Sequence, residues 1–298
     1  MLERFAIFCK NMSDWFKSDR CFIKYFMKAF SLANNLLLLT FLLLAIFIIS
    51  MYMVISTQMA INSTLSLMVV ILLSSALASG FFYAIKITTD KKMNNEEIEK
   101  SNIKLALNTF YTGVGEYYLS FIFMFVMFFI LAGAVIIGTF FLADKLICSV
   151  PELGLDAAAI YAILSDPNQI AGLTQTITPE QQQNLRYWCR MFLFTTQAFT
   201  FIIMLWIPEV MYSKKNIFVG FFTSIKKIFS DFPRALCVYL TIVFLNYLLA
   251  IFIVIFSRFS IISFLLNIAS LYLLVYNFYA IFIYYKTMFI SENRKWVA

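Results

Sequence analysis

The chain holds no histidine among its 298 residues. That removes the imidazole of hydrolytic triads, the usual proton carrier near neutral pH and the commonest metal ligand. Neither a Gly-x-Ser-x-Gly elbow nor a Gly-x-x-x-x-Gly-Lys-Ser/Thr phosphate loop occurs, so no nucleophile is presented on a strained turn and no phosphate cradle is built. Gly113-Val114-Gly115 is a fragment of a nucleotide-binding pattern, and it reads as a turn. The five cysteines show no Cys-x-x-Cys spacing of the kind that holds zinc. No catalytic, cofactor-binding or metal-ligating residue is therefore expected, and the chain reads as non-enzymatic. What remains to do work is a set of lysines beside aromatics and a few amides and tyrosines in apolar surroundings.

Those surroundings are set by composition. Apolar residues make up 62% of the chain and charged residues 13%, against about 45–50% and about 25% in soluble domains. Six runs are long and apolar enough to cross a bilayer: Leu36–Ile55, Leu65–Ile85, Tyr118–Phe141, Met191–Ile207, Ala235–Phe256 and Ile261–Tyr285. At about 1.5 Å per residue, about 20 residues match a hydrocarbon core of roughly 30 Å. Every peptide group there needs an internal partner, so the spans are helices. The expected fold is all-α, a polytopic membrane protein of six transmembrane helices forming one integral membrane domain over 1–298. The first run lies behind some 35 residues carrying Arg4, Lys10, Lys17, Arg20, Lys24 and Lys28, so it reads as a retained span and not as a cleaved signal peptide.

Lysine and arginine sort by side. Segments 1–35, 86–117, 208–234 and the tail carry 19 of them, and the intervening loops carry 4. This asymmetry predicts both termini in the cytoplasm, a cytoplasmic amphipathic segment over 1–35 and an exterior loop over 142–190. The net charge of +7 follows from topology. It points to a membrane surface, with no basic domain for nucleic acid.

Each cytoplasmic piece carries an amphipathic stretch before a span. These are Phe22/Ile23, Phe26/Met27 and Phe30; then Ile103, Leu107, Phe110/Tyr111 and Val114; then Phe218, Phe221/Phe222, Ile225 and Ile228/Phe229. A further such helix is read at Phe5, Phe8, Met12 and Trp15/Phe16. The period is helical, and helices of this composition lie in the interface. Lys24, Lys28, Lys214, Lys215, Lys226 and Lys227 are the expected contacts to anionic lipid. Turn formers follow each aromatic end, at 30–35, 110–115 and 229–234, which suggests three repeats of interfacial helix plus transmembrane hairpin.

Sidedness then separates the cysteines. Cys9, Cys21 and Cys237 fall on the reducing side, whereas Cys148 and Cys189 flank the exterior loop and could form a disulfide. In that loop Leu155–Leu164 is helical in pattern and Thr178-Pro179-Glu180 starts a helix toward Arg190. Gln197, Asn246, Asn267 and Asn277 are the costly side chains within spans, suited to hydrogen bonds between helices. With Tyr272, Tyr276 and Tyr279, the asparagines 246, 267 and 277 could line a polar cavity for a lipid or small amphiphile. No Asp or Glu lies in a run, which disfavours ion-coupled transport.

Two stretches, Ala78–Tyr83 with Asn102–Phe110, and Pro208-Glu209 with Gly220–Phe229 and Phe232–Ala235, resemble a broad bacterial group of six-helix membrane proteins. It includes YciC-like proteins and the membrane domain of some glycerophosphodiester phosphodiesterases. The resemblance implies a bacterial cytoplasmic (inner) membrane protein and brings no site residues, since the phosphodiesterase chemistry belongs to a soluble domain lacking here. The expected function is a lipid-interacting protein, or an accessory or scaffold subunit of a membrane complex. A transporter or permease subunit for a small or amphiphilic solute is the alternative. Its partners are membrane lipids and other membrane proteins.

Overall fold

A computed structural model describes residues 22–35, 63–94, 103–149, 178–213 and 216–290 of the chain. Among the described residues all regular structure is helical. The helices are α1 (Phe22–Asn35), α2 (Ser63–Met93), α3 (Ile103–Leu146), α4 (Pro179–Ile203), α5 (Trp206–Ser213), α6 (Ile217–Ser230), α7 (Phe232–Ile255) and α8 (Ser260–Tyr285), followed by a π-helical turn at Lys286–Ile290. Among the described residues, five stretches are long and apolar enough to cross a membrane: Ile71–Met93, Asn108–Leu146, Pro179–Ser213, Phe232–Ile255 and Ser260–Ile290. They match the last five of the six expected runs. Leu36–Ile55, the Phe5–Phe16 stretch, Cys9, Cys21, Lys214, Lys215 and the Leu155–Leu164 stretch lie outside the described residues.

The chain divides into two units, one of residues 1–125 with 203–298 and the other of 126–202. In the first, α1 packs along α8 in antiparallel sense: Tyr25 meets Tyr284 at 5.8 Å, while the Tyr272 hydroxyl donates to Asn34 Oδ1 at 3.1 Å. The buried face of α1 is Tyr25, Phe26, Ala29, Leu32 and Ala33. This rotates the helix from the expected face, leaving Met27 and Phe30 outward. The two alanines explain the choice, since small side chains let the backbones approach.

Close approach also decides the α2–α3 crossing. A Cβ on Gly80 would stand 2.5 Å from the Phe110 ring, and one on Gly113 would stand 2.4 Å from Tyr83 Cβ and 3.0 Å from the Ser79 carbonyl oxygen. Gly113 was expected to mark a turn between a shoulder and a span. Instead α3 runs unbroken through 110–115. With no proline to remove a hydrogen bond there, the glycine serves packing. Of the three expected bends, the structure places one at 229–234, where Asp231 separates α6 from α7 and Pro233 sits in the first turn of α7. At 30–35 the described chain is still helical.

In the second unit the later part of α3 packs on α4. The Thr139 and Thr195 hydroxyls lie 3.0 Å apart across the two helices, a polar contact of the kind that ties helices in lipid. Phe128 meets Phe199 at 5.8 Å and Phe140 meets Trp188 at 5.4 Å. Helix α4 opens on a reciprocal cap: the Gln181 N–H donates to Thr178 Oγ1 and the Thr178 N–H to Gln181 Oε1, so the start expected from Thr178-Pro179-Glu180 is present.

Candidate functional site

Pro208 creates the site. A proline offers no N–H, and its ring opposes the carbonyl four residues back, here Met204. The helix accordingly ends at Ile203, turns at 204–205 and restarts as α5. Glu209, in the first turn of α5, is 0% exposed. Helix α6 packs against α5. The Trp206 indole N–H donates to the Ile217 carbonyl at 3.2 Å, and Gly220 admits Val210, whose Cγ2 would lie 3.1 Å from an added Cβ.

Helix α6 then carries Lys227 to Glu209. Its Nζ lies 2.6 Å from Glu209 Oε2 and donates to the Tyr285 hydroxyl at 2.7 Å. Tyr285 in turn donates to the same Oε2 at 2.5 Å. Lys227 also stands 4.6 Å above the Tyr285 ring and 5.4 Å from that of Phe289. A buried carboxylate thus has an ammonium and a phenol on one oxygen, and among the described residues Oε1 has no hydrogen-bond partner.

Tyr212 stacks on Tyr285 at 5.6 Å and links this triad to a second pair. Its hydroxyl donates to Asp90 Oδ1 at 3.1 Å, and Lys286 Nζ reaches the same oxygen at 2.6 Å. Lys86, one helical turn before Asp90 on α2, donates to the Met211 carbonyl at 2.9 Å and lies 5.4 Å from the Tyr212 ring. Tyr117 of α3 donates to that same carbonyl at 3.1 Å. On the far side, Tyr284 donates to Asp231 Oδ2 at 2.9 Å, and Arg234 lies 3.5 Å from Asp231 Oδ1. The π-helical turn draws these contacts together. Widening the backbone after Tyr285 lets Tyr284, Tyr285, Lys286, Met288 and Phe289 all engage neighbours within two turns, and such turns cluster at functional positions.

Chemically this is a charge-matched clamp. Three carboxylates, Asp90, Glu209 and Asp231, each face a cation and a tyrosine, and together they fasten the ends of α2, α6, α7 and α8. No group of three or more metal-ligating side chains occurs among the described residues.

Sequence reasoning placed Glu209 and Asp90 in loops and did not connect them. Both lie in the apolar helical stretches. The signals were Pro208 immediately before Glu209 and the Lys86/Asp90 spacing of one turn, but neither names its partner. Lys227, expected at the lipid surface, is engaged by Glu209 with 24% of its side chain exposed; Lys226 and Lys28 are exposed and Lys24 is half-buried.

The six residues proposed for a polar cavity turn to different neighbours. Asn246 and Asn267 are exposed and donate to carbonyls of their own helix, Ile242 and Ser263. Tyr272 faces Asn34, Tyr276 lies 5.9 Å from Phe26, and the Tyr279 hydroxyl is 3.0 Å from that of Thr88. Asn277 is buried, and its Oδ1 lacks a partner among the described residues. The expected disulfide is not formed. Cys148 is buried with Ala143 and Trp188, and Cys189 is exposed. Trp188 and Cys189 are consecutive on α4, so the ring that covers Cys148 turns the next side chain about 100° away.

No family model matches the chain, and no curated protein or solved structure matches it either.

Proposed function

We propose that the chain is a non-enzymatic protein of a bacterial cytoplasmic membrane, with six spans and both termini in the cytoplasm. It acts on lipid or on a partner membrane complex through its cationic, aromatic interfacial helices. The observation that carries this reading is the division of labour on α6. Its inner face, with Ile217, Gly220, Phe221, Ser224 and Ile228, is buried and is pinned by the Glu209–Lys227 pair. Its outer face presents Phe218, Phe222, Ile225 and Phe229 at helical spacing, three of them large exposed rings, beside exposed Lys226. Rings at the acyl boundary with an ammonium at headgroup level fit an anionic leaflet. The three-repeat arrangement and the resemblance to the six-helix bacterial group belong to the same reading.

The test is phosphatidylglycerol retained by the full-length protein after detergent extraction, counted by mass spectrometry. Each lysine near an anionic surface contributes about 1 kcal/mol, so Lys226→Gln is expected to weaken retention about fivefold. Retention equal to that of the unsubstituted protein would overturn the lipid reading. A transporter or permease subunit is the second reading. It draws support from two buried acceptors that have no partner among the described residues, Glu209 Oε1 and Asn277 Oδ1. It requires solute flux that Asn277→Leu abolishes.

A further inference from the structure

Helices α7 and α8 form an antiparallel hairpin joined by a turn at residues 256–259. Asn246 lies nine residues before the end of α7 and Asn267 seven residues after the start of α8. At 1.5 Å per residue the two amides stand about 14 Å and about 11 Å below that turn, which is nearly the same depth in a bilayer. Each follows a half-buried leucine, Leu245 or Leu266. In two antiparallel helices packed face to face, the residues that follow inward-facing ones project on the same side of the pair. Asn246 and Asn267 therefore share one face and one depth.

On that face both amides are exposed. Each spends one N–H on the carbonyl one turn back in its own helix. Among the described residues neither Oδ1 accepts a hydrogen bond, and each amide keeps a second N–H. A lipid tail can satisfy neither group, and polar side chains in this position associate helices. Ala250, one turn after Asn246 on the same row, is small and exposed and leaves room for a neighbouring helix there.

We infer that this face is where a second copy of the chain docks, through a two-fold axis along the membrane normal. Such an axis brings residues of equal depth together, so amide meets amide. Asparagine carries donor and acceptor at once and is its own complement. A closed two-fold pair is also the commonest symmetric assembly. The inference needs only that α7 and α8 lie in lipid, and it stands apart from lipid recognition by α6.

The test is Förster transfer between two fluorescent proteins fused to the C-terminus of the full-length chain, reconstituted in vesicles across a range of protein-to-lipid ratios. The original chain is expected to show saturable transfer. Asn246→Leu with Asn267→Leu should shift the half-saturation density upward tenfold or more, and Ala250→Phe should do the same by preventing close approach. Leucine is at home in lipid, so the amide variants are expected to remain monodisperse. Phe244→Leu, on another face of α7, should leave the curve unmoved. Transfer no greater than that of randomly mixed monomers would overturn the inference, as would an undiminished signal in the double asparagine variant. Cross-linking of the 250 position in native membranes to a different protein, with no self-product, would assign the face to that protein and refute the second copy.

Discussion

Lys227→Met removes the ammonium from a carboxylate that is 0% exposed. Breaking a buried ion pair by deleting one partner costs about 3–5 kcal/mol, because the surviving charge stays buried without compensation. Lys227 keeps 24% of its side chain exposed, so solvent already shares part of its charge. Tyr285 still donates to Glu209 after the change. Both facts place the expected loss at the lower end, about 3 kcal/mol. Glu209→Gln leaves Lys227 able to turn toward solvent and keeps an acceptor for Tyr285, so it should cost about 1–2 kcal/mol. The double variant removes both charges together and should be no worse than the lysine change alone, giving a coupling of at least about 1 kcal/mol. The assay is unfolding of the full-length protein in mixed micelles by titration with sodium dodecyl sulfate, read by tryptophan fluorescence. Trp206 reports directly, since its ring lies 5.1 Å from that of Phe221. Two results would refute the reasoning: a Lys227→Met protein within about 0.5 kcal/mol of the original, which is the range of ordinary surface substitutions, or losses in the double variant that equal the sum of the singles.

Gly113→Ala should destabilise by about 1–3 kcal/mol, because Tyr83 Cβ is fixed to its backbone and cannot swing clear of the added methyl 2.4 Å away. Gly115→Ala, where nothing lies within 4 Å, should be neutral or stabilising by up to about 1 kcal/mol, and the same micelle titration separates the two. Trp206→Phe keeps the ring contact with Phe221 but removes the indole donor to the Ile217 carbonyl, which retains its bond within α6, a loss of about 1 kcal/mol that circular dichroism melting should register as a lowered midpoint.

The parts of the fold that depend on solvent were legible from residue order. Twenty uncharged apolar residues have few fates: the runs at 118–141 and 261–285 fall within helices, and the run at 235–256 passes the end of α7 by one residue. The cap at Thr178 was equally readable, because its partner lies three residues away. Legibility failed where a partner was distant in sequence. Glu209 looked like a loop residue because its neutralising lysine is 18 positions on and its tyrosine 76. Gly113 looked like a turn because spacing cannot distinguish a glycine needed for conformation from one needed for a neighbour's bulk. Asn246 and Asn267 were expected to bond between helices, yet each donates to a carbonyl of its own helix and is exposed. Periodicity likewise assigned α1 and α6 one apolar face each, where the structure gives α6 two, one for the interior and one outward.

Lys226 of α6 and Glu180 at the start of α4 stand at opposite ends of the proposed topology. Replacing each in turn with cysteine, in a full-length chain whose native cysteines are serine, allows labelling of intact cells with a membrane-impermeant maleimide. Position 180 is expected to label in intact cells, and position 226 only after the membrane is opened. Labelling of position 226 from outside, or protection of position 180 until lysis, would contradict the proposed orientation and the interfacial role given to α6.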